Sequence, residues 1–240
     1  MIDRRAVVWG ASGGIGRALV DALAASGKYS AVLAGSRAPI DAVSNVVHPF
    51  TFDLFDEASI VAAADTIAAA GSVDLVIVAT GLLHDAGHQP EKSFAALTPD
   101  AMVALFRVNT VGPALIAKHM IQSLPRHRPS VFAALSARVG SIGDNRLGGW
   151  HSYRSSKAAL NMIIANLAIE LRNTRPLAIA IGLHPGTVDT SLSAPFQKGV
   201  ADGKLFSPTA SARHLLSVVD TVTIDVSGSV LAWDGQRIAP

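Results

Sequence analysis

The chain of 240 residues contains no cysteine. Disulfide frameworks and thiolate chemistry are therefore excluded. Charge is scarce as well. Only 16% of residues are charged, and 20 basic side chains against 18 acidic ones leave a formal +2. A surplus that small, scattered along the chain, leaves no basic stripe for nucleic acid. No run of about 18 apolar residues is apparent, and the N-terminal "MIDRRAVVWG" lacks the apolar region of a signal peptide. No membrane partner and a cytoplasmic location are expected.

What is present is apolar and ordered. Half the residues are hydrophobic, which suits a sheet buried on both faces. At this length roughly 70–75% of the unfolded surface can be buried without a staple. Short apolar runs alternate with longer helical patterns, which argues for βαβ units and a parallel sheet. "AVVWG", "SAVLAGS", "VVHPFTFDL", "VDLVIVAT", "SVFAALS", "LAIAIGLHPG" and "GSVLAWDG" read as seven strands. "GIGRALVDALAASG" reads as the first helix, stopped by Gly27. Asp56 and Glu57 suit the positive end of the second. Thr98 followed by Pro99 reads as a cap and a first-turn proline. No repeat or linker interrupts the pattern, so residues 1–240 are expected to form a single α/β domain.

Between the first strand and the first helix lies "GASGGIG". Gly10, Gly14 and Gly16, with Ser12, Gly13 and Ile15 between them, form a turn of the kind that lets backbone approach a pyrophosphate at a helix N-terminus. A glycine pattern alone is weak, but strand–turn–helix placement strengthens it. An acidic residue ending the second strand would favour NAD. Here Ser36 and Arg37 stand there instead, and a hydroxyl beside a guanidinium suits a 2′-phosphate. NADP(H) is therefore expected over NAD(H). Asp53, with Leu54 after it, either meets the adenine or caps the helix nearby.

Farther on, "HSYRSSKAAL" sets Tyr153 and Lys157 one turn apart on one helical face. Together with the glycine turn, Asn109 and the serine ending "VFAALS", this pair resembles the short-chain dehydrogenase/reductase family. "LSARVGSIGDNRLGGWHSYRSSKAALNM" and "GSVLAWDGQ" are similar to its sniffer and C-factor-like carbonyl reductase branch. The resemblance covers essentially the whole chain. It implies a Rossmann-type doubly wound sheet of about seven parallel strands in three α/β/α layers. It also implies an NADPH-dependent reductase of aldehydes and ketones, reversible toward secondary alcohols.

Carried over residue by residue, the resemblance makes Tyr153 the general acid or base. A free phenol has a pKa near 10, and Lys157 is expected to lower it. Lys157 would also hold the nicotinamide ribose. Ser136 would hydrogen-bond the substrate oxygen, and Asn109 would anchor a water leading from Lys157 to solvent. Ala79, Thr80 and Gly81 would meet the adenine ribose. Pro185 and Gly186 would shape a turn at the cofactor, after which Val188 and Thr190 would meet the nicotinamide carboxamide. A two-fold helix bundle between subunits, giving a homodimer or homotetramer, is implied too. The helices around Asn109 and Tyr153 are apolar on more than one face, which agrees with that.

The sequence departs from the family in three places. Trp9 replaces the threonine before the first glycine. "VATG" replaces N-N-A-G, keeping only Gly81. The gap from Ser136 to Tyr153 is long, so Ser141 rivals Ser136, and Ala137 is a candidate for the usual serine place. A nucleotide-binding signalling or scaffold protein with little turnover is the alternative function. His84 and His88 form H-x-x-x-H in a loop with no third ligand, so no metal is expected. Trp150 and His151 either line the substrate cleft or merely cover the start of the helix. The stretch "TVDTSLSAPFQKGVADGKLFS", Thr187 to Ser207, reads as a lid.

Overall fold

The computed structural model describes residues 3–42 and 44–240; Met1, Ile2 and Val43 lie outside it. The strands and principal helices run β1 (Arg5–Trp9), α1 (Gly14–Ala25), β2 (Ala31–Ser36), β3 (Val47–Thr51), α2 (Glu57–Ala69), β4 (Leu75–Val78), α3 (Pro99–Phe106), α4 (Gly112–Met120), β5 (Ser130–Leu135), α5 (His151–Thr174), β6 (Ala178–His184), β7 (Thr187–Val188), β8 (Leu205–Phe206), α6 (Pro208–Thr221), β9 (Val230–Ala232) and β10 (Arg237–Ile238). The main sheet has the order β10-β9-β6-β5-β4-β1-β2-β3. Its strands pair in parallel except for β10, which pairs antiparallel with β9.

Eight strands rather than seven therefore make the sheet. The extra one, β10, returns from β9 through the Asp234–Gly235 turn, where Gly235 has φ 82°. Two residues paired at an edge leave too short an alternation to be recognised in the sequence. The two-residue ladder of β7 with β8 escapes notice for the same reason.

Alternation along the strands builds the layers. Val7, Val76, Phe132 and Ala180 face α2, α4 and α5, meeting Ile60, Ile116, Leu160 and Ile164. Ala6, Ile77, Ala133 and Ile181 face the other way, meeting Leu19 and Leu23 of α1 and Leu215 of α6. Both faces are covered, so the central strands read as continuous apolar runs. At the β3 edge, Pro49 is tolerated because an edge strand can spare one N–H.

Caps mark the helix starts. Asp56 accepts from Ala58 N, Thr98 from Ala101 N and Ser207 from Ala210 N. Gly27, at φ 65°, follows α1 as a left-handed stop. From α3 the chain runs helically through a π-turn at Arg107–Val111 into α4. The whole run, Pro99–Ser123, contains an 18-residue stretch of mean hydropathy 1.2 and is long and apolar enough to cross a membrane. Its apolar residues are interrupted by Asn109 and Thr110, so it does not read as one stretch. Here it lies in the helical layer, with Leu105, Asn109, Ile116 and Met120 buried and Val103 and Val111 exposed.

Candidate active site

The strand order reverses between β1 and β4, which carry the crossover to opposite halves of the sheet. The crevice at the carboxyl ends of such strands is where ligands settle in this topology. A cleft of about 690 Å³ opens there. It joins the glycine turn after β1 to the loops after β4, β5 and β6 and to the start of α5.

The glycine turn is tight. A β-carbon on Gly16 would lie 2.1 Å from the Gly10 carbonyl oxygen, and one on Gly14 would lie 2.8 Å from Thr190 Cγ2. Gly10, at φ 97°, has no room beside Thr80 N. Backbone bonds order the turn: Gly10 N and Ala11 N both donate to Gly35 O, and Arg17 N donates to Gly13 O. No side chain is needed for that task. Trp9 instead points into the core, edge-on to Phe50 at 5.0 Å and Phe52 at 4.7 Å.

Ser12, Gly13, Gly14, Ile15 and Gly16 line the cleft, as do Arg37, Ala79, Thr80 and Gly81. Ser136, Tyr153, Lys157, Pro185 and Thr190 line it from the other side. Thr80 Oγ1 is buried without a hydrogen-bond partner, a polar atom at the wall that a nucleotide ribose would satisfy. The narrow glycine cradle, this orphaned hydroxyl and the guanidinium of Arg37 fit a phosphorylated dinucleotide.

The other expected site residues are set back from the cleft. Ser36 is 1% exposed and gives its hydroxyl to Ala38 O, so it shapes the turn after β2 and has no proton left for a phosphate. Asp53 Oδ1 accepts from Phe55 N, a turn within its own loop, and Asp56 is the cap of α2. Leu54 packs where Gly112 leaves space, 2.7 Å from the site of a missing β-carbon. Gly186, at φ 78°, lies under Phe206 and Trp233, and Val188 is buried in β7.

Asn109 sits in the π-turn, wholly buried. Its Oδ1 accepts from Leu82 N at 2.9 Å, while Nδ2 donates to Leu82 O at 2.7 Å and Ser156 Oγ at 3.0 Å. The amide thus stitches the loop after β4 to α5. A β-carbon on Gly81 would be 3.8 Å from Asn109 Oδ1 and 4.0 Å from Lys157 Nζ, so both groups border the same spot.

Ser136 and Ser141 part company in the fold. Ser141 is buried away from the cleft, accepting from Asp144 N at 3.0 Å and donating to Pro240 O at 3.3 Å. Ser136 lines the cleft, yet its hydroxyl donates to Asn161 Oδ1 at 2.6 Å. Asn161 Nδ2 faces Gly140 O, and the reversed amide would set two oxygens against each other. The one Ser136 proton is therefore spent within the protein rather than offered to a substrate. Ala137 joins Leu83, Leu105 and Tyr153 in an apolar cluster beside the cleft.

Lys157 Nζ donates to Leu135 O at 2.8 Å and lies 5.9 Å from the centroid of the Tyr153 ring. Burial pushes Tyr153 up to about 12 and Lys157 down to about 8. The expected lowering of the phenol by the lysine is absent: burial alone sets the direction, because withdrawing a phenolate from water is costly.

Several cleft residues carried no signal in the sequence. Leu82, Asp85, Ala86, Leu135, Ser191 and Leu192 line it. They are ordinary loop and strand residues until the fold gathers them. His84 lines it too, with Nε2 3.1 Å from Leu192 O, whereas His88 turns to Asp85.

Comparison with known proteins fits this geometry. Residues 4–201 match the short chain dehydrogenase family. The chain belongs to that family. It is an oxidoreductase by that membership. The family match runs from the start of β1 to residue 201, so it takes in the glycine turn, Tyr153 and Lys157. The C-signal protein of Myxococcus xanthus is 31% identical over 137 residues, which are 57% of this chain and 77% of that protein. Among solved structures, the carbonyl reductase Sniffer of D. melanogaster superposes with a TM-score of 0.86 at 19% identity, covering all of both chains. An NADPH-bound carbonyl reductase from chicken fatty liver gives 0.84 at 24% identity, covering 99% of this chain and 94% of that one. At such identities the structural likeness speaks for the fold.

Proposed function

We propose that the chain is an NADPH-dependent reductase of aldehydes and ketones, with Tyr153 as the proton donor. The observation that carries this reading is the convergence of Tyr153, Lys157 and the glycine turn on one cleft. A protein that only bound a nucleotide would have no use for a buried phenol backed by a buried ammonium. The NADPH-bound structural neighbour and the guanidinium of Arg37 both support NADP(H) over NAD(H).

Ser12 to Gly16 would hold the pyrophosphate through backbone N–H groups at the start of α1. Arg37 would hold the 2′-phosphate, and Lys157 the ribose of the nicotinamide. The bound nucleotide supplies the hydride. Tyr153 donates its hydroxyl proton to the carbonyl oxygen of the substrate and is left as a phenolate. Lys157, kept charged, offsets that developing negative charge. Asn109 holds the loop after β4 against α5 through Leu82 and Ser156. Ser136 fixes the end of β5 to α5 through Asn161 and acts as a positioning group. Leu82, Leu83 and Leu105 keep the cleft apolar around the phenol.

The test is NADPH consumption with a panel of aldehydes and ketones, alongside Tyr153→Phe. General acid catalysis contributes about 10²–10⁴-fold. A loss of that size, with NADPH affinity retained, is the expected outcome. Undiminished turnover in the phenylalanine variant would remove Tyr153 from the role. The likeness to C-signal and the committed hydroxyl of Ser136 favour one alternative, a nucleotide-binding protein with little turnover. Tight NADPH binding with no carbonyl reduced by the wild type would select it.

A further inference from the structure

Trp150 is the only non-glycine residue with a positive φ among the described residues, at φ 51° and ψ 42°. A bulky L-residue is disfavoured there, because its β-carbon crowds the following carbonyl. The conformation persists only where its surroundings fix it. Here they do. Trp150 N donates to Glu91 O at 2.5 Å, and Trp150 O accepts from Arg154 N at 2.8 Å. The Glu91 carboxylate, 5% exposed, accepts from Ser152 N at 3.2 Å and from the Ser152 hydroxyl. Glu91 comes from the segment between β4 and α3, so a distant loop caps the helix that bears Tyr153 and Lys157.

Capping does not explain the indole. Trp150 makes no side-chain cap bond, and glycine or asparagine would take the left-handed position with less strain. What the strain does accomplish is the placing of a ring. The Trp150 ring centroid is 6.2 Å from that of Tyr153 and 5.0 Å from that of Phe196, edge-on to both. Phe196 stands 5.4 Å from His84, which borders the cleft. Trp150 and Phe196 both pack on the apolar cluster that contains Tyr153.

We propose that Trp150 is a specificity-determining residue for the carbonyl substrate and that Glu91 is its positioning residue. The proposal rests on the reductase reading. With the carbonyl oxygen at the Tyr153 hydroxyl, an apolar substituent of the substrate lies against the Trp150 and Phe196 rings. A substituent too short to reach them gains nothing. Discrimination then grows with the apolar area covered.

The experiment compares kcat/KM for acetaldehyde, hexanal and benzaldehyde in the wild type, Trp150→Phe, Trp150→Gly and Glu91→Gln, with NADPH affinity by titration. Trp150→Gly should lose about tenfold or more on hexanal and benzaldehyde, and less than about threefold on acetaldehyde. Trp150→Phe, which keeps a ring, should recover most of that loss. Glu91→Gln should repeat the size-dependent pattern more weakly, and NADPH affinity should stay within about twofold in all variants. Equal loss on all three aldehydes, or a fully active Trp150→Gly, overturns the specificity role. Equal loss on all three in Glu91→Gln overturns its positioning role. If the wild type reduces none of them, the reductase reading fails instead. Calorimetric binding of benzaldehyde to the NADPH-loaded protein then decides: weaker binding in Trp150→Gly upholds the role of the ring, and unchanged binding overturns it.

Discussion

Lys157 Nζ lies 5.9 Å from the centre of the Tyr153 ring, and burial drives the two groups toward neutrality from opposite sides. The phenol, pushed up to about 12, keeps its proton throughout the neutral range. The ammonium, pushed down to about 8, is the member of the pair that titrates under ordinary conditions. The charge that makes a phenolate tolerable therefore depends on pH.

Carbonyl reduction should fall as pH rises through about 8, where Lys157 loses its proton. Stability should move the other way. Between about 8 and the ordinary lysine value of 10.5, the unfolded chain binds a proton that the folded one has released. The unfolding free energy therefore rises with pH in that window. Lys157→Met removes the group: it should be inactive, yet more stable than the wild type at pH 7, with the gap closing as pH rises toward 10.5. Thermal melts of both proteins at pH 7 and pH 10 check this, and a gap independent of pH contradicts it.

Ser136→Ala separates a positioning hydroxyl from a substrate-binding one. Losing a donor aimed at an oxyanion costs about 10²–10³ in kcat. Because the Ser136 proton goes to Asn161 Oδ1, the alanine variant should lose less than about tenfold. Steady-state kinetics with a good aldehyde substrate measures it. A thousandfold drop would mean that the hydroxyl turns toward the substrate during the reaction.

Arg37→Asp should weaken NADPH far more than NADH. Arg37 lines the cleft where the turn after β2 meets the glycine loop, whereas Ser36 beneath it is bonded to Ala38 O. The carboxylate would repel a 2′-phosphate and accept from ribose hydroxyls instead. Titration with both nucleotides tests this, and an unchanged preference places the phosphate elsewhere.

Gly140→Ala probes how closely the loop after β5 presses on α5. The new β-carbon would fall 2.8 Å from Lys157 Cβ and 2.9 Å from the Lys157 carbonyl carbon. Neither neighbour is a flexible side-chain end, so the loop must move, at a cost of about 1–3 kcal/mol. Denaturant melts should register that cost, and the turnover number should fall with it because Lys157 shifts. A neutral substitution would show that the loop has slack.

Much of this was legible in the residues. The run from "AVVWG" into "GASGGIG" located the cradle, because strand, turn and helix each have a local signature. Thr98, Asp56 and Gly27 marked helix ends through their own backbone chemistry. Tyr153 and Lys157 declared themselves by a four-residue spacing that any helix turns into a shared face. Ser36 and Asp53 stand at the expected chain positions, yet their side chains close local turns. A side chain that can bond its own backbone often does so.

The sequence by itself determined the layered parallel architecture, the glycine turn and the paired phenol and ammonium. All three follow from periodicity and short-range spacing, which the backbone geometry of strands and helices enforces locally. Only the tertiary structure placed Ser136 at the cleft and Ser141 away from it, carried Glu91 to the head of α5, and set the Trp150 indole beside Tyr153 and Phe196. Those relations join segments tens of residues apart, and no local rule encodes which distant donor will meet which acceptor. They arise when burial forces every polar group in the closing core to find a partner, and the partner it finds depends on the packing of the whole sheet.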